Sequence, residues 1–190
     1  MYFSLVTEPT VEPVSMAEAK AHCRIDHDTE DAYVGALIIA ARQWVENVCG
    51  MALMTQTWDG WLDAFPTDAI VIPKYPVASV TSITYHSSDL VTSTAVPTGN
   101  YQVDTKRRPP RIARKHGVSW PSATLRESSG VVVRFVAGYT AVDSVPRDIK
   151  HAILLLIGQL YAHREPEVTG STIARVGFSV DALLAPHRLW

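Results

Sequence analysis

Residues 14–50, VSMAEAKAHCRIDHDTEDAYVGALIIAARQWVENVCG, decide the fold. Two helices are written into them. Ser15 followed by Glu18 is a capping box: the hydroxyl accepts from the amide three residues on, and the carboxylate reaches back to the Ser15 amide. This predicts a short helix ending near His22. A second helix is expected from Asp28 or Thr29, where Glu30 and Asp31 put negative charge at the positive end of the helix dipole. Gly50 stands where a left-handed C-cap is wanted. The second helix would run for about 21 residues, spanning about 31 Å.

Tyr33, Leu37, Ala40, Ala41, Trp44 and Val48 fall on one stripe of that helix, and Val34, Ile38 and Val45 widen it. Gly35, Arg42 and Glu46 are expected on the opposite, polar face. Ile39 lies towards this polar side, where a lone helix in water would carry a charge. Two readings fit: a core helix with one stray isoleucine, or a helix whose second face meets another subunit.

Before this stretch, Met1 to Pro13 reads as an extended arm, lying on its own domain or on a neighbour. After Gly50 the period shifts from 3.6 towards 2. Leu53 to Phe65, Ala69 to Ile72, Val80 to His86, Tyr101 to Asp104, Arg111 to Arg114 and Val131 to Ala137 read as strands, the last most strongly. Thr98-Gly99-Asn100 is a turn signal. Helix returns at Ser144, with Pro146 tolerated in the first turn and Asp148 at the positive end. Ile149, Ile153, Leu156 and Leu160 make its stripe. Ala152, Leu154, Leu155 and Ile157 cover much of the rest, so it should be buried on several sides. Glu165 to Gly177 lacks helical periodicity and is expected to be a mobile connector. Ser179 is expected to cap a short helix through Ala185, stopped by Pro186.

The expected fold is therefore α+β. Residues 1–52 and 144–190 would form a helical core, and residues 53–143 an inserted β-rich unit, a small sandwich or open barrel. A length of 190 residues suffices for a substantial core. Hydrophobic content of 47% and charge of 19% exclude a disordered chain. A formal charge of -2 does not suit a strongly basic nucleic-acid binder, though it leaves room for a local basic patch. No apolar run reaches transmembrane length, and the first residues lack the pattern of a signal peptide. With only Cys23 and Cys49, no disulfide framework is expected.

No motif for a nucleophile elbow, phosphate loop, zinc protease or dinucleotide site occurs. His22, Cys23, Asp26, His27 and Asp28 cluster, but without the paired spacing of a zinc site, and fit an inter-helix turn. No cofactor or metal is expected, and an enzyme only from residues gathered at a distance. The one concentrated basic run is residues 106–116, KRRPPRIARKH, with six of the 17 Lys and Arg. Arg107, Arg108, Arg111, Arg114 and Lys115 are expected on an exposed loop. That loop is either simply solvated or a contact to phosphate or an acidic surface.

Residues 13–46 resemble the N-terminal region of head–tail connector (adaptor, head-completion) proteins of long-tailed double-stranded DNA phages and prophages. The shared pattern is PVS-x-AEAKAH, then R-[IV]-DHD-x-ED, then a long helix ending W-[VI]-E. VPRDIKHAILLLIGQLYAHRE (residues 145–165) is similar to a second family segment, and VGFSVDALLAPHRLW (residues 176–190) to its C-terminal end. Cys23 stands where the family often has an apolar residue. The resemblance implies a structural virion protein at the head–tail junction, assembled in the host bacterial cytoplasm. It implies a ring, usually of twelve copies, on the portal vertex that extends the DNA channel. Its partners would be the portal protein, a stopper or tail-completion protein, further copies of itself and the passing DNA, with no membrane. On this reading Ile39, Phe178, Leu183, Leu184, Leu189 and Trp190 are candidates for subunit or portal contact. The basic residues are candidates for channel or portal contact. The alternative is a DNA-binding accessory protein that uses residues 106–116.

Overall fold

The computed structural model describes residues 1–89, 91–164 and 177–189. The fold is α+β, in two compact units: Met1–Thr10 with Thr55–Tyr139, and Val11–Met54 with Thr140–Trp190. The first ten residues, expected with the helical core, group with the strands instead. The reason is strand β1, Tyr2–Thr7, which pairs antiparallel with β2, Gln56–Leu62. The register runs from Tyr2↔Trp61 to Leu5↔Trp58 and is interrupted by a bulge before Thr7. The Phe3 ring stands edge-on to Phe135, centroids 6.2 Å apart.

The β unit holds two antiparallel sheets. The larger has five strands in the order β1-β2-β8-β4-β5, with β4 at Val77–His86, β5 at Ser93–Ala95 and β8 at Val131–Ala137. The smaller has the order β3-β7-β6, with β3 at Ile70–Val71, β6 at Tyr101–Asp104 and β7 at Arg111–Arg114. In β8, Val131, Val133, Phe135 and Ala137 are wholly buried, as the two-residue repeat of a strand requires. On the other face Arg134 forks onto its cross-strand neighbour Asp59, Nε–Oδ1 2.8 Å and Nη2–Oδ2 2.7 Å. Gly130, just before β8, has no room for a side chain: a Cβ there would lie 2.7 Å from the Asp63 carbonyl oxygen.

In the helical unit α1 is Met16–Cys23 and α2 is Asp31–Cys49; α3 is Arg147–Ala162 and α4 is Gly177–Leu184. The capping box is formed: the Ser15 amide donates to Glu18 Oε2 at 2.7 Å, and the Glu18 amide to Ser15 Oγ at 3.2 Å. Arg24, in the left-handed region at φ 58°, ends α1. The next helix begins later than expected because its candidate caps are used within the turn. Thr29 Oγ1 meets His27 Nδ1 at 2.8 Å, and Asp28 takes the Lys20 ammonium. Gly50 closes α2 at φ 66°, as expected. Val34, Leu37, Ile38, Ala41 and Val45 of α2 are buried, as are Ile149, Ala152, Ile153 and Ile157 of α3 and Val180 and Leu184 of α4. Ser179 lies inside α4 rather than capping it, and Pro186 sits in the 3-10 turn Ala185–His187 that follows.

The expected polar face of α2 is corrected. Arg42 and Glu46 are 4% and 5% exposed, whereas Trp44, expected in the core stripe, is 43% exposed. The buried positions 34, 37, 38, 41, 42, 45, 46 and 49 form one continuous helical stripe. Two charges are tolerated there because each is satisfied. Arg42 donates to Glu12 Oε2 at 2.7 Å and to Glu46 Oε2 at 2.8 Å. Glu46 Oε1 accepts the Leu53 amide at 2.7 Å. Burying a charge that is paired and hydrogen-bonded avoids much of the penalty for an isolated one.

Candidate functional site

Among the described residues the chemistry-bearing side chains do not converge. Cys23 and Cys49 are free, and burial pushes both thiols above their ordinary range, away from the reactive thiolate. Among the described residues no three His, Cys, Asp or Glu side chains gather as a metal site would require, and no helix is long and apolar enough to cross a membrane. The features that stand out are surfaces.

Two apolar grooves flank the buried stripe of α2. One, about 450 Å³, is lined by Ala40, Ala41 and Trp44 of α2, Leu156 and Leu160 of α3 and Val180 of α4. The other, about 420 Å³, is lined by Val11, Val14, Met16, Gly35, Ile38 and Ile39. Ile39 is 44% exposed and Leu160 40%, so large apolar side chains meet water at both grooves. Ile39 and Trp44, five positions apart, are roughly 140° apart around the helix, so the two grooves present different surfaces.

Of the other apolar candidates, Leu184 is wholly buried. It is a core residue here, not a contact surface: α4 turns it inward with Val180. Leu183 and Leu189 are half-buried. The side chain of Phe178 and the whole of Trp190 lie outside the described residues, as does the expected connector at 165–176. His187 and Leu189 are tied down. The Leu189 amide donates to the Cys49 carbonyl at 3.3 Å, and His187 Nε2 lies 2.6 Å from Asp148 Oδ2. Burial pushes the Asp148 carboxyl up, but the hydrogen bonds from His187 and the Ile149 amide outweigh it and hold it below its ordinary value. At the other end of α3, Glu30 accepts from Tyr161 at 2.5 Å and Arg164 at 2.6 Å, which lowers its pKa in that order of importance.

The basic run divides. Arg107, Arg108 and Lys115 are exposed or nearly so, with Arg107 and Arg108 in the loop joining β6 to β7. Arg111 and Arg114 are not on a loop, as had been expected. They lie on β7, half-buried, because the RIAR stretch pairs with both β3 and β6. Arg114 is further committed to the Thr67 carbonyl at 2.6 Å. Arg108 stacks over the Tyr75 ring, 4.1 Å from its centroid, which holds the loop's charge in place. The sequence reading missed Trp44 and Leu160 as surface residues. The available signal was an excess of apolar positions on α2 beyond what one stripe can bury, with Arg42 and Glu46 spaced to pair at i, i+4.

Among the described residues, what stands out is a pair of apolar surfaces, the kind of feature that protein–protein assembly uses. Residues 13–174 match the family model described as head completion protein, and the chain belongs to that family, the structural proteins of the phage-type head–tail junction. Its fold is similar to a chain in the neck of an empty gene transfer agent (GTA) particle computed with C6 symmetry. There the TM-score is 0.82 at 26% identity, covering 99% of this chain and 95% of that one. A chain of the virion of the native gene transfer agent particle matches with the same values. A chain in the neck of the native particle computed with C12 symmetry matches at TM-score 0.68 and 25% identity, over 97% of this chain and 94% of that one. No curated protein matches.

Proposed function

We propose that this chain forms a ring, of twelve copies, docked on the portal vertex after DNA packaging. The ring extends the DNA channel and presents the site for a stopper or tail-completion protein. Its role is assembly, with no catalytic turnover. The observation that carries the reading is the similarity over 99% of the chain to a component of a particle neck, a structure computed with cyclic symmetry. The two unlike grooves beside Ile39 and Trp44 support it, because a ring is built from heterologous contacts in which one patch meets a different patch. Ile39, Leu183 and Leu189, with Phe178 and Trp190, are proposed for subunit or portal contact. Arg107, Arg108 and Lys115, with Arg111 and Arg114 behind them, are proposed to face the channel or the portal. Electron microscopy of particles carrying this chain tests the reading. The expected result is ring density beneath the portal that this fold fits. A chain present only as a two-fold dimer, or absent from the junction, overturns it.

A second reading rests on the exposed Arg107 and the Tyr75-stacked Arg108: an accessory protein that binds duplex DNA through residues 106–116. It requires the free protein to bind DNA with an affinity that falls steeply with salt.

A further inference from the structure

The five-stranded sheet ends in two edge strands that pair with no further strand among the described residues, and the two are unlike. At one end β1 offers six residues; at the other β5 offers three. An edge strand presents unpaired backbone N–H and C=O groups, and proteins that must stay apart guard such edges with lysine, proline or cover. Neither edge here carries a charged guard. Residues 1–7, MYFSLVT, contain no charged side chain and no proline, and residues 90–96, LVTSTAV, contain none either. The bulge before Thr7 disturbs only the end of β1, leaving Tyr2–Leu5 in regular register. The β1 edge also exposes apolar side chains, Tyr2 at 67% and Val6 at 46%, and Val91, in the turn just before β5, is 87% exposed.

We infer that the sheet is continued from copy to copy, the β1 edge of one subunit hydrogen-bonding to the β5 edge of the next. The backbone groups specify an extended strand as occupant, and the uncharged strands β1 and β5 suit one another as such strands. A second copy fits because the two edges are unlike and open at opposite ends of one sheet, so each subunit carries a donor edge and an acceptor edge. Pairing β1 with β1 would close a two-fold dimer and leave β5 bare; pairing β1 with β5 is heterologous and propagates around a ring. The inference rests on the ring proposed above and adds a contact to it.

Amide hydrogen exchange on the full chain, free and within assembled particles, tests it. Exchange at residues 2–7 and 93–95 should slow at least tenfold on assembly. Tyr2→Lys and Thr94→Lys, each placing a lysine on one edge, should leave the melting of the free chain unchanged and lower incorporation into particles at least tenfold. A ring in which both edges exchange at the free rate overturns this inference and leaves the ring standing. Protection of β1 alone also overturns it, since another protein's strand would then cap that edge. Particles without a ring of this chain overturn both.

Discussion

The two sides of α2 are an inverted pair. Its inward side holds Arg42 and Glu46 at 4% and 5% exposure, while its outward side shows Ile39 and Trp44 at 44% and 43%. Polarity does not assign a side; satisfaction does. The inward charges make three bonds, to Glu12, to each other and to the Leu53 amide, which compensate for much of the water they lose. Among the described residues the outward apolar side chains have no equivalent compensation. On the ring proposed above, a helix that buries its charges and exposes its tryptophan serves a partner as well as its own core.

The strongest way to break this comparison is to remove one side of the inward pair. Glu46→Ala should destabilise the free protein by about 3–5 kcal/mol, because it strands part of Arg42 and the Leu53 amide in a buried site. Replacing both charges, with Arg42→Met and Glu46→Leu, should cost much less, since a matched apolar pair leaves no uncompensated charge. Denaturant unfolding of the two variants measures the difference. Equal losses would mean that the network contributes packing alone. Next in size is Leu184→Ala. Leu184 is wholly buried and should cost about 2–5 kcal/mol. A loss near zero by the same measurement would return Leu184 to the surface role first expected of it.

The helices of this fold were legible in the sequence wherever a local signal acts locally. Ser15 and Glu18 cap each other, Gly50 takes the left-handed turn, and Val131–Ala137 alternates as a strand must. What stayed hidden depends on groups distant in the chain. Tyr2–Thr7 becomes a strand only because Gln56–Leu62 lies beside it, and no periodicity in six residues announces a partner more than fifty positions away. Arg42 reads as a surface residue until Glu12, thirty residues earlier, is brought to its Nε. For the candidate surface, Ile39 was legible as an anomaly on a polar side. Trp44 was not, because a tryptophan at core spacing looks the same from sequence whether the neighbouring helix covers it or stops short. Arg111 and Arg114 were misplaced for the same reason: a basic strand between two others resembles a basic loop.

On the outward side the comparison is sharpened by changes that spare the fold. Ile39→Ser and Trp44→Ser should each alter the stability of the free protein by no more than about 0.5–1 kcal/mol, since exposed positions contribute little. In assembly their effect should be much larger, with incorporation into particles reduced at least tenfold. Thermal melting set beside the amount of the chain in purified particles separates the two effects. Normal incorporation of both variants would show that these grooves stay wet in the assembled state. A large drop in melting temperature would instead make them core residues.

The smallest effect expected is acid sensitivity of the helical unit at its helix ends. Glu18 is held below its ordinary value by the Ser15 hydroxyl and then the Ser15 amide, and Glu30 by Tyr161 and then Arg164. A carboxylate with a lowered folded-state pKa adds stability that is fully present above its unfolded value. That stability is lost as pH falls through the folded one. The window therefore opens below the ordinary glutamate value of about 4.3 and extends downward from there. Ser15→Ala removes one half of the cap and should cost about 0.5–2 kcal/mol at neutral pH. It should also flatten the acid limb, because Glu18 then titrates nearer its unfolded value. Helical circular dichroism under mild denaturant, followed from pH 7 to about pH 3 in both proteins, reads this directly. If the two curves run parallel throughout, the cap does not couple to Glu18, and the acid response belongs to Glu30 and Asp148 at the ends of α3.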